Sequence, residues 1–105
     1  MERLERQQAA RARVAEKDSG KRLRAAEVLQ RIYQKEGRPI NVHAAGDGGR
    51  TLELYSGLMM EGNYTYEAAR RETVDCANCV EFYRVLGFRE IVLKGDGFEQ
   101  VYTLR

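Results

Sequence analysis

The sequence has little of the residues that build metal and redox centres: one histidine and two cysteines among 105 residues, with a single proline. Each scarcity closes a route. His43, Cys76 and Cys79 supply three ligands at most, so a four-ligand structural zinc site would need carboxylates or a second chain. A thioredoxin-like centre would need a strand leading into Cys76-x-x-Cys79, and no such strand is read, so the two cysteines are expected to be buried and reduced. No apolar run approaches bilayer-spanning length and no signal-peptide pattern opens the chain; a cytoplasmic protein without a membrane partner is the expectation.

Hydrophobic residues make up 43% of the chain and charged residues 32%, ordinary proportions for one globular domain. The net charge of +2 conceals an asymmetry. Residues 1–38 carry 11 Lys/Arg against 6 Asp/Glu, whereas residues 39–105 carry 7 against 10. The basic segment has acids interspersed throughout and matches no RNA- or DNA-binding signature, so it reads as a solvated helical face and nucleic acid is not an expected partner.

Residues 2–17 are rich in Ala, Arg, Glu and Gln and predict a helix, which Ser19-Gly20 interrupts. A second helix is predicted over 21–36, with Ala25, Val28, Leu29, Ile32 and Tyr33 as its apolar stripe; Gly37 ends it and Pro39 forbids its continuation. Residues 40–45 read as a strand and 46–49 as a loop. Residues 51–60 read as an apolar helical stretch, followed by a short helix from Thr65 to Val74. Asp75 is a plausible N-cap for a helix over 76–86 whose apolar face is Cys79, Phe82, Tyr83 and Leu86. Gly87 reads as its left-handed C′ residue, and residues 90–93 and 98–104 read as two strands joined by Gly95-Asp96-Gly97. A weak internal repeat aligns residues 51–61 with 79–89 through Glu53/Glu81, Tyr55/Tyr83 and Leu58/Leu86.

Phe82-Tyr83-Arg84-Val85-Leu86-Gly87-Phe88 ahead of a terminal strand pair resembles the closing segment of GNAT-type N-acetyltransferases. The resemblance covers residues 12–45 and 75–105, and only its last segment is specific. It implies an α/β or α+β fold: a truncated GNAT-like mixed sheet flanked by helices, as one domain over 1–105 with a basic segment at 1–18 and a core at 19–105. It further implies transfer of an acetyl group from acetyl-CoA to an amine. In that family a loop entering a helix binds the coenzyme A pyrophosphate through backbone amides. Gly20, Lys21 and Arg22 correspond to it here, with Arg22 standing at a glycine position. Residues 12–16 would then be the strand before the loop, ending at Glu16 as general base. The strand at 40–45, Val42 included, would splay to admit the pantetheine arm, with His43 near the acceptor. Tyr83 would be the acid that protonates the departing thiolate, although Tyr55 competes for that position.

The shortness of the chain and Arg22 at a glycine position support a second reading, a non-catalytic GNAT-like module. Its half-sheet would leave strand edges to be covered by self-association or by a protein partner, so a homodimer or larger assembly is expected. The same Phe-Tyr-x-x-Leu-Gly-Phe pattern occurs in glyoxalase-like modules, where several strands follow it; here 17 residues remain.

Overall fold

A computed structural model describes the backbone of residues 2–104 and the side chains of residues 19–104. The chain runs through helix α1 (Glu2–Lys35), strand β1 (Asn41–Ala45), a single 3-10 turn at Asp47–Gly49, strand β2 (Thr51–Tyr55), helices α2 (Tyr64–Arg71) and α3 (Ala77–Val85), and strands β3 (Glu90–Gly95) and β4 (Phe98–Thr103). The fold is α+β, with three helices beside a four-stranded mixed sheet of order β1-β2-β3-β4. Two antiparallel hairpins, β1–β2 and β3–β4, meet along a parallel seam between β2 and β3.

Strand alternation sorts the sheet into two faces. Val42, Leu54, Leu93 and Gln100 form one cross-strand row and Ala44, Leu52, Ile91 and Tyr102 the next. This face meets Ala26, Leu29 and Tyr33 of α1, Tyr66, Ala68 and Ala69 of α2, and Tyr83 of α3 in one core. The opposite face carries His43, Glu53, Val92 and Val101 in register, and no helix covers it among the described residues. Part of the outer edge of β1 is occupied by an amide side chain. Gln30 donates to Ile40 O at 3.0 Å and accepts from Val42 N–H at 2.6 Å, as a neighbouring strand would.

Both helix ends predicted at glycine take the same form. After α1, Gly37 (φ 69°) and Arg38 donate to Gln34 O and Tyr33 O; after α3, Gly87 (φ 98°) and Phe88 donate to Arg84 O and Tyr83 O. These paired bonds satisfy carbonyls that a helix end leaves orphaned, and the Phe88 ring packs edge-on against Tyr83 at 5.8 Å.

Five expectations are corrected. Ser19-Gly20 does not interrupt α1, which is one continuous helix; an interior glycine costs only about 1 kcal/mol in a helix, too little to break one anchored two residues later by Arg22. The run at 51–55 is a strand, because Leu52 and Leu54 alternate into the core between two partners. The proposed repeat therefore pairs a strand with a helix and is not a structural repeat. Cys76, rather than Asp75, caps α3, its Sγ accepting from Cys79 N–H at 3.1 Å, and it is joined to Cys79 in a disulfide rather than held as a free thiol.

Candidate functional site

The four residues placed on one face of the helix at 76–86 do act together. Cys79, Phe82 and Tyr83 of α3 and Leu86 at its C-cap face Ala25, Val28 and Ile32 of α1 across a groove of about 460 Å³, with Lys21, Arg24 and Glu72 also in its lining. The apolar stripe of α1 is divided between two tasks. Leu29 and Tyr33 are buried in the core, whereas Val28 is 52% exposed and Ile32 39%. Phe82, across the groove, is 55% exposed. Tyr83 forms part of the groove wall yet is almost wholly buried; burial, and after it the Glu72 carboxylate, pushes its hydroxyl up to about 12, so the phenol is protonated at neutral pH. Burial, with Glu72 next, likewise raises the pKa of Tyr33, whose hydroxyl finds no hydrogen-bond partner among the described residues.

Comparison with protein-family models, curated proteins and solved structures finds no match. The roles of individual residues therefore rest on geometry alone.

That geometry separates the residues grouped by the acetyltransferase resemblance. Gly20, Lys21 and Arg22 lie inside α1, where backbone N–H groups are committed to carbonyls four residues back and cannot converge on a pyrophosphate. The Arg22 side chain points into the protein: Nε and Nη2 donate to Gly48 O at 3.0 and 2.7 Å, and Nη1 donates to Leu86 O at 3.1 Å. Residues 12–16 are helix, not strand, so Glu16 does not end a strand; its side chain lies outside those described. Val42 does not border a splayed wedge. It is buried in β1, which pairs antiparallel with β2 over five residues, and the parallel β2–β3 seam is closed over five residues as well. His43 is exposed on the uncovered face. Tyr55 lies on that face too, its hydroxyl donating to the Asp96 carboxylate, which raises its pKa.

Of the residues named for catalysis and cofactor binding whose side chains are described, only Lys21 and Tyr83 line a common site, the α1–α3 groove. A second polar cluster lies where α2 meets β4. The Tyr66 hydroxyl donates to Gln100 Oε1 at 2.7 Å, and Arg70 donates to the same hydroxyl at 3.1 Å and to Asp75 at 2.8 Å. It holds the approach to α3 in place and contributes nothing to the wall of the α1–α3 groove. Among the described residues no group of three or more His, Cys, Asp or Glu side chains is placed to hold a metal ion, and no helix is long and apolar enough to cross a membrane.

Proposed function

We propose that the chain is a non-catalytic assembly module that pairs with a second copy of itself across the open α1–α3 groove. The observation that carries this reading is the concentration of Val28, Ile32 and Phe82, each more than a third exposed, along one apolar seam. Helical layers leave such seams open when another helical layer closes them. Charge favours a second copy as the occupant. The basic balance of residues 1–38 complements the acidic balance of residues 39–105, and a face-to-face pair brings Lys21 and Arg24 of one protomer toward Glu72 of its partner.

Light scattering across a concentration series tests the reading. A dimer is expected at tens of micromolar, and Val28→Asp should weaken it at least about 100-fold, because desolvating a carboxylate in the seam costs more than pairing with Arg24 one turn away returns. A wild-type chain that stays monomeric throughout, or a Val28→Asp dimer of unchanged strength, overturns it. Circular dichroism of the variant confirms that the comparison is made between folded proteins.

The order α1, β1, the Tyr83 helix closed by Leu86-Gly87-Phe88, and a terminal hairpin is what supports a GNAT-like reading of the module. Acetyl transfer from acetyl-CoA would need an anion-binding loop, and residues 19–22 are helix interior. Millimolar acetyl-CoA is accordingly expected to leave the melting temperature unchanged. Saturation to a hundred times Kd would add about 2.7 kcal/mol, a shift too large to miss, and seeing it would reinstate the transferase.

A further inference from the structure

The Cys76–Cys79 bond is in the wrong place for a staple. It spans three residues within the first turn of α3 and ties together no two elements of the fold. A ring so short restrains the unfolded chain less than a long one does. What the location does provide is chemistry. Cys76 is the N-cap of α3, its sulfur accepts the Cys79 N–H at 3.1 Å, and both residues are half-buried rather than sealed in the core. A thiolate at Cys76 would keep that hydrogen bond and face the positive end of the helix, which lowers a thiol's pKa and makes it both the readier nucleophile and the better leaving group. The adjoining Asp75 carboxylate opposes this, but its charge is offset by Arg70 at 2.8 Å.

We propose that Cys76 and Cys79 form a thiol–disulfide exchange site acting on cysteine thiols and disulfides of peptides. In the reducing direction the Cys76 thiolate attacks one sulfur of a substrate disulfide. The substrate S–S bond breaks, its other sulfur leaves as a thiolate, and a mixed disulfide with Cys76 remains. Cys79, deprotonated to solvent, then attacks Cys76 Sγ and expels the second substrate thiolate. Two electrons have passed to the substrate, both released thiolates take protons from water, and the protein holds the Cys76–Cys79 bond seen here. A glutathione-class thiol returns the pair to the dithiol by the reverse steps. Cys76, the attacking thiol, is not part of the groove wall; Cys79 is, so the exchange is measured at a concentration where the chain is monomeric, which keeps its outcome separate from that of the dimerisation test.

Equilibration of the full chain with reduced and oxidised glutathione, followed by alkylation and mass spectrometry, tests the site. The pair is expected to pass between dithiol and disulfide across the glutathione range with helix content unchanged. Cys79→Ser should accumulate a glutathione adduct on Cys76, and Cys76→Ser at least about tenfold less on Cys79. A bond that excess glutathione leaves intact in the folded protein, a dithiol that never closes in oxidised glutathione, or equal adducts in the two variants would overturn the proposal. If either serine variant fails to fold, alkylation rates of the reduced wild-type chain decide. Faster reaction at Cys76 supports the site, whereas equal rates or a faster Cys79 refute it.

Discussion

Replacing Arg22 by methionine should remove about 3 kcal/mol of stability and lower the melting temperature by roughly 12 °C or more. Arg22 is 3% exposed, and its guanidinium spans three parts of the fold, reaching from α1 to the turn after β1 and to the end of α3. Hydrogen bonds from a charged donor contribute about 1.5–3 kcal/mol each, and methionine would leave the Gly48 and Leu86 carbonyls without their donor. Methionine preserves the aliphatic stem, so the loss reports the lost fork rather than a cavity. Lysine should recover less than half, because a single ammonium cannot reproduce a planar fork aimed at two carbonyls. Thermal melts of the three proteins check this. A methionine variant within a degree or two of wild type would mean that the ties are redundant.

A loss of similar size is expected from Gly95→Ala at the end of β3. A Cβ built there would lie 2.1 Å from Met59 O and 3.1 Å from Met59 C. Both are backbone atoms of the Ser56–Met59 turn, which is fixed by its own bond from Met59 N–H to Ser56 O at 3.0 Å and to the sheet by Ser56 N–H donating to Lys94 O at 3.0 Å. No side chain can rotate out of the way, so the turn or the strand must move, at a cost of about 3 kcal/mol or more. Gly97→Ala, two residues on, is the control. Nothing lies within 4 Å of its Cβ and its φ is not positive, so the change should stay under about 1 kcal/mol. Denaturant midpoints at constant m-value would compare them, and equal midpoints for the two variants would contradict the packing argument.

The Arg22 result bears on what a sequence can disclose. Features set by neighbours in the chain were legible: Gly37 and Gly87 end their helices as their local chemistry dictates, and Gly95-Asp96-Gly97 lies at the turn of the β3–β4 hairpin. Those set by distant partners were not. Arg22 bonds carbonyls 26 and 64 residues away, and a basic residue near a glycine was read as a ligand for phosphate. One clue was available. Arg22, Ala26, Leu29 and Tyr33 recur at steps of four, three and four, so Arg22 shares the stripe that enters the core. Strand β2 was lost for another reason. Its alternation lasts five residues before Leu58, Met59 and Met60 extend the apolar run, and so short a stretch satisfies helix and strand patterns alike. The groove itself was half visible, since periodicity placed Cys79, Phe82, Tyr83 and Leu86 together. Nothing local showed that Val28 and Ile32 would stand opposite them.

The parallel seam of the sheet has a kinetic consequence. Each hairpin closes over a short connection, whereas Thr51 and Glu90, whose side chains bond at 2.8 Å across β2 and β3, are 39 residues apart. Bringing those ends together carries the largest loop-closure entropy in the sheet and is rewarded only after α2 and α3 have folded back over it. Joining the two hairpins is therefore the step expected to limit folding, and a shorter route between β2 and β3 should speed it more than any gain within either hairpin.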